Sequence, residues 1–271
     1  MLPGEILTRL LGSRMNIQRI QVIATNVFRE VFRDRVLYLA ALFGGVLLLA
    51  VVLLSEVSAG TENKITLDVG MAAIVLFGLV VTVFLSTALV NKEIEKRTAL
   101  VLMAKPMSRT EFIVGKHLGL VAVIGILVGL MTAIFFAVLS WKQLDYPASS
   151  LAVAAVYILL ELSLLTAAGI LFGVLTNSLI ATLLTFAVYF MGHFSPNLVV
   201  LSKSMQNPTV RHLIQALYLV FPDLSRLDLK NEAVYGLLPP THVLLANAGY
   251  GLIYTILLLA IAIWIFSFRE F

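Results

Sequence analysis

NKEIEKRTALVLMAKPMSRTEFIVGKHLG, residues 91–119, puts nine charged side chains between Asn91 and Lys116, in a chain that is otherwise mostly apolar. The 271 residues are 60% hydrophobic and 13% charged, and the mean hydropathy is +1.00. Soluble domains average about 25% charged residues. A helix needs about 20 apolar residues to cross ~30 Å of hydrocarbon. On both sides of the quoted stretch the runs are that long. Val36 to Ser55, Val69 to Asn91, Leu118 to Trp141, Leu162 to Ser202 and Ala233 to Phe268 carry no Asp, Glu, Lys or Arg. The pattern predicts an all-α integral membrane protein with six transmembrane helices, near 36–54, 69–90, 118–140, 149–172, 178–192 and 243–267.

Six spans put both termini on one side. With that topology, 13 of the 19 Lys and Arg fall on one face, in the N-terminal arm, in the loop between spans two and three, and at Arg269. The other face holds 6: Lys64, Lys142, Lys203, Arg211, Arg226 and Lys230. The positive-inside rule then makes the quoted stretch and both termini cytoplasmic. The first 30 residues lack an apolar core followed by a small-residue cleavage site, so no removable leader is expected. The net charge of +4 does not argue for nucleic acid, because in a membrane chain the placement of charge outweighs its sum. Without cysteine there are no disulfides, thiolate metal sites or cysteine nucleophiles.

Two further segments read as helices outside the spans. Between Met15 and Arg35, Ile17, Ile20, Ile23, Ala24, Val27, Phe28 and Val31 share one face, and Arg19, Asn26, Arg29, Glu30 and Arg33 share the other. Val22 is the main misfit. This is the pattern of an amphipathic helix lying in the membrane interface; the alternative is a disordered basic arm. Residues 193–241, with five prolines, form a long outer segment. Within it Asn207 and Pro208 can start a helix whose stripe is Val210, Leu213, Ile214, Leu217 and Phe221, ended by Pro222. That helix either re-enters the outer leaflet or packs on the bundle as an ordinary surface helix.

The quoted stretch is itself well built. Span two is expected to continue as helix past Asn91, where Glu93 and Arg97 stand at i, i+4 in the favourable order. Thr98 to Ala104 is apolar but too short to span. Lys105 precedes Pro106 and is pushed out of the helical region. Ser108 then reads as an N-cap with Glu111 as its capping-box partner. A short helix, a proline corner and a capped helix start make a stiff connection suited to transmitting force. The competing view is a re-entry turn whose basic residues merely obey the inside rule.

The pattern EIEKRTALVLMAKPMSRTEFIVGKHLG resembles the signature of ABC-transporter permeases with six spans per subunit, among them those of nitrous-oxide-reductase maturation and sodium-efflux systems. Glu95, Thr98, Lys105, Pro106, Ser108, Arg109, Gly115 and Lys116 match it; many members have Gly before the Thr, where this chain has Arg97. The resemblance implies a type V exporter in a bacterial cytoplasmic membrane. Two permease subunits, identical or different, would face each other above two ATPase subunits. It also implies that Glu93, Glu95, Arg97, Thr98, Lys105, Pro106, Ser108, Arg109 and Lys116 couple to the ATPase through a coupling helix. ATP and Mg would belong to that partner, and this chain would need no cofactor of its own.

The sequence agrees that nucleotide chemistry lies elsewhere. A phosphate-binding loop needs G-x-x-x-x-G-K-[ST] after a strand. The only Gly-Lys pair is Gly115-Lys116, followed by His117 and preceded by Thr110 where the first Gly belongs. Glu161 is the one acidic residue deep in a span. A charge there costs about 2.5–3.5 kcal/mol on insertion scales, so it should face the bundle. It is a candidate for the translocation path, or else a structural hydrogen-bonding group. His117, His193, His212 and His242 show no metal-ligand spacing, so no metal is expected. Gly115-xxx-Gly119 and Gly125-xxx-Gly129 suit close helix packing. Without convergent Ser, His and carboxylate groups an intramembrane hydrolase has little support. The main rival to a permease is a membrane scaffold that docks a cytoplasmic partner and moves no cargo.

Overall fold

The computed structural model describes residues 16–34, 36–57, 62–95, 108–204 and 221–268, together with positions 207, 209, 211, 212 and 214. Among these the secondary structure is entirely helical. The helices are α1 (Ile17–Asp34), α2 (Val36–Val57), α3 (Glu62–Glu95), α4 (Arg109–Trp141), α5 (Ala148–Leu175), α6 (Ser178–Ser204), α7 (Lys230–Val234) and α8 (Thr241–Phe268), with a 3₁₀ turn at Leu224–Arg226. In hydrocarbon only a helix satisfies its own backbone groups, which is why such apolar runs adopt it.

Five helices, at Asn63–Leu89, Arg109–Trp141, Ala148–Leu175, Ser178–Ser195 and Thr241–Phe268, are long and apolar enough to cross a membrane. The expected first span falls in α2, whose described apolar stretch is the shorter Ala40–Ala50. Helix α3 runs through Asn91 to Glu95, as the sequence led one to expect. Helix α6 differs from the sequence expectation. It does not end near residue 192 but continues through Pro196 to Ser204. A proline removes one backbone donor, yet helix on either side still satisfies the remaining groups most cheaply in an apolar setting.

Helix α5 is the axis of the bundle and packs against α3, α4, α6, α7 and α8. Its long buried face includes Leu151, Ile158, Leu162, Leu165 and Ile170. Helix α8 leaves Leu252, Ile253, Ile256 and Trp264 exposed, a face suited to lipid. Between helices in lipid the drive is packing rather than hydrophobicity, so close approach matters.

Helix α1 shows this. Ile20, Val27 and Val31 are buried, while Val22, the misfit of the expected stripe, is exposed, and so is Ile17. The helix lies across α4. A Cβ at Gly115 would stand 2.8 Å from Ile23 Cβ, and one at Gly119 would stand 2.7 Å from the Ala24 carbonyl oxygen. The first glycine pair therefore seats the amphipathic helix. Gly125 has only ordinary contact with Leu159, and a Cβ at Gly129 would meet nothing within 4 Å.

The segment before α8 turns inward. Leu224, Leu227 and Ala233 are fully buried, and Leu229 and Val234 nearly so. Leu224 sits on Gly192 of α6, where an added Cβ would meet its Cγ at 2.6 Å and the Pro222 carbonyl oxygen at 2.9 Å. Leu227 rests on Gly251 of α8. The expected start at Asn207 is present: its Oδ1 accepts from the Thr209 N–H at 3.0 Å, and its carbonyl accepts from the Arg211 N–H. Most of the helix expected to follow lies outside the described residues.

Candidate functional site

Two polar centres stand out, one at the start of α4 and one around Glu161, half-way along α5. The first is the start of α4. Ser108 Oγ accepts from the Glu111 N–H at 3.1 Å, and Glu111 Oε2 accepts from the Ser108 N–H at 3.0 Å, so the expected capping box is formed. Glu111 does a second job. Its Oε1 accepts the Asn16 N–H at 2.9 Å, just where α1 begins, and Asn16 Oδ1 in turn accepts from the Gln18 N–H at 3.0 Å. One buried carboxylate therefore holds the starts of two helices. Arg19 adds a looser ion pair at 3.9 Å; its side chain is 42% exposed, so it contributes less than the backbone donors.

The end of α8 joins the same junction. Arg109 Nη1 donates to the Phe266 carbonyl at 3.0 Å and to the Ser267 carbonyl. These carbonyls belong to the last turn of α8 described, and a cation there meets the negative end of the helix dipole. The Phe112 and Phe266 rings stack 5.7 Å apart beside it. Lys116 is buried; its Nζ donates toward the Leu89 carbonyl of α3 at 3.5 Å and stands 5.2 Å from the Phe112 ring. His117 Nε2 lies 3.1 Å from the Ser163 carbonyl oxygen of α5. A carbonyl only accepts, so that nitrogen carries the hydrogen.

Of the residues expected to couple to an ATPase, Ser108 caps α4, while Arg109 ties α4 to α8 and Lys116 ties it to α3. Glu93 and Glu95 lie in the last turns of α3, with side chains outside the described residues. Arg97, Thr98, Lys105 and Pro106 lie outside the described residues altogether, as does the expected coupling helix.

The second centre surrounds Glu161. Its Oε1 faces His193 Nε2 of α6 at 3.5 Å, and that nitrogen also faces Asp228 Oδ2 at 3.7 Å. Lys230 Nζ donates to Asp228 Oδ2 at 2.5 Å. His193 Nδ1 is 3.1 Å from the Tyr189 carbonyl oxygen. Sequence reasoning placed Glu161 toward the bundle but missed His193, Asp228 and Lys230. A signal for the first was available. The turn at Thr176 and Asn177 joins α5 to α6; Glu161 stands 15 residues before Thr176 and His193 16 residues after Asn177. In an antiparallel helix pair equal offsets mean equal height. The inward fold of the segment carrying Asp228 had no comparable signal.

Helices of this length and apolarity, packed around a central helix and with Lys116, His117 and Glu161 turned inward, define a multi-pass membrane protein. The family model described as ABC-2 family transporter protein matches residues 18–271, from α1 to the end of the chain. The chain belongs to that family, so it is a membrane permease component of an ABC transporter and not its ATPase. No curated protein matches it.

Proposed function

We propose that this chain is a six-span permease subunit of an ATP-driven exporter with type V architecture, in which residues 91–117 receive the stroke of a separate ATPase. Two permease subunits pair in a bacterial cytoplasmic membrane with both termini on the cytoplasmic side. Two ATPase subunits dock beneath and hold the ATP and Mg. Glu93, Glu95, Arg97, Thr98, Lys105, Pro106 and Ser108 meet the ATPase or shape the coupling helix. Arg109 and Lys116 act from inside the bundle and pass the movement on. Glu161 belongs to the moving path.

The observation that carries this reading is the junction that directly follows residue 107. There Glu111 and Arg109 tie the start of α4 to the start of α1 and the end of α8. A push on the preceding loop acts on three helices at once. The test is to replace residues 96–107 by a Gly/Ser linker of equal length and to purify the transporter from cells that also express its ATPase. Loss of ATPase co-purification and of export is expected. Retention of both would overturn the reading, and a wild-type assembly that binds the ATPase yet moves nothing would mark a docking scaffold.

A further inference from the structure

We propose that Glu161 is a proton-binding site, reached from the end of the bundle that carries residues 142–147 through Asp228 and His193. The inference stands apart from the transport reading, because it concerns proton exchange by the chain alone.

Hydrogen-bonding rules force the first step. The Tyr189 carbonyl can only accept, so His193 Nδ1 at 3.1 Å carries a hydrogen. The remaining ring nitrogen, Nε2, faces carboxylate oxygens of both Glu161 and Asp228. A bare lone pair and two anionic oxygens cannot share one buried point. At least one proton therefore sits among the three atoms. Asp228 already receives the Lys230 ammonium, so the proton belongs to the Glu161–His193 pair. Neither Glu161 Oε1 nor His193 Nε2 makes a hydrogen bond of ordinary geometry, which leaves both free to exchange it.

Exposure gives the route. The side chain of Glu161 is 3% exposed, those of Asp228 and His193 19% and 21%, and that of Lys230 27%. Nε2 can serve only one carboxylate at a time. A proton arriving on Asp228 moves to His193 Nε2, where an N–H bond forms as the O–H bond breaks. It then passes to Glu161 Oε1, an O–H bond forming as the N–H bond breaks, and leaves the imidazole neutral with Nδ1–H unchanged.

The other ionisable groups around the site are accounted for. Asp223 is bound by Arg226 at 3.1 Å and by Ser225, and Arg226 also lies over the Tyr250 ring of α8. On α5, Tyr157 donates to the Leu244 carbonyl. Tyr189 stacks against His193 with ring centres 4.5 Å apart, and Tyr254 stands beside Tyr250 on α8. On α3, Gly78 is level with Leu162, so Asp68 lies about 15 Å further along that helix, and Lys64 sits over Tyr235. A metal ion suits the place less well. No three His, Asp or Glu groups among the described residues converge to hold one, and the Lys230 ammonium already meets Asp228.

The test uses the purified full-length chain in lipid, without its ATPase, and follows the infrared carboxyl C=O band across pH and on transfer to heavy water. The wild-type chain should show a buried protonated carboxyl that Glu161→Gln abolishes. His193→Gln should slow its deuterium exchange roughly a hundredfold, the scale of losing a positioned proton donor. Asp228→Asn, a substitution outside the spans, should slow exchange as well and so tests the route even if the other two variants fold poorly. A band that persists in Glu161→Gln, no such band in the wild type at any pH, or exchange unaltered by both His193→Gln and Asp228→Asn would overturn the proposal.

Discussion

Glu111 and Glu161 are both buried carboxyl groups, one in the first turn of α4 and one half-way along α5, yet they are bound in opposite ways. Both Glu111 oxygens accept backbone N–H groups at ordinary lengths, one from each of two helix starts. Glu161 Oε1 has only a distant imidazole, and its surroundings contain a second acid. A carboxylate with fixed donors is a rivet: changing its charge costs every bond it makes. A carboxylate whose one neighbour can itself gain or lose a proton is suited to change state. The difference teaches that burial alone does not mark a functional acid; what marks it is which donors, if any, are fixed around it.

The sharpest way to break this comparison is Glu111→Ala. It should lower the stability of the purified chain by about 2–4 kcal/mol, because the Asn16 and Ser108 N–H groups lose their acceptor and two helix caps fail together. Unfolding in mixed detergent would measure this, and a loss no larger than that of a surface substitution would remove the rivet. Gly119→Leu should come next, at about 1–3 kcal/mol. Its side chain would enter the space of Ala24 and Val27 and lift α1 from α4, which faster protease cleavage within α1 would reveal. Glu161→Gln should have the smallest effect, within about 1 kcal/mol, since it replaces a loosely held protonated carboxyl by an amide of the same shape that can donate to His193 Nε2. A large loss there would make Glu161 structural and erase the contrast.

The same contrast explains what could be read from the chain. The Ser108–Glu111 capping box is local, three residues apart, and its spacing announces it. The amphipathic stripe of α1 is local too, and Ile20, Val27 and Val31 are buried as expected. The second duty of Glu111 spans 95 residues, and no periodicity links it to Asn16. Gly115 and Gly119 were visible as small residues, but their partner, the amphipathic α1, was not. Glu161 could be assigned a direction from the cost of a charge in hydrocarbon. Its partners come from α6 and from a stretch whose prolines and charges suggested an outer surface, because composition does not reveal that Leu224 and Leu227 point into the bundle. The helix through Pro196 was obscured by a residue that usually ends one.

The inward stretch from Pro222 to Lys230 also bears on the order in which the molecule is completed. Leu224 lies against Gly192 of α6, but Leu227 is covered by Gly251 and the Asp223 N–H is received by Tyr250 at 2.8 Å, both on α8. During synthesis the wedge therefore has only half its socket until α8, which follows it in the chain, enters the bilayer. A helix made after the wedge is the one that closes the seam.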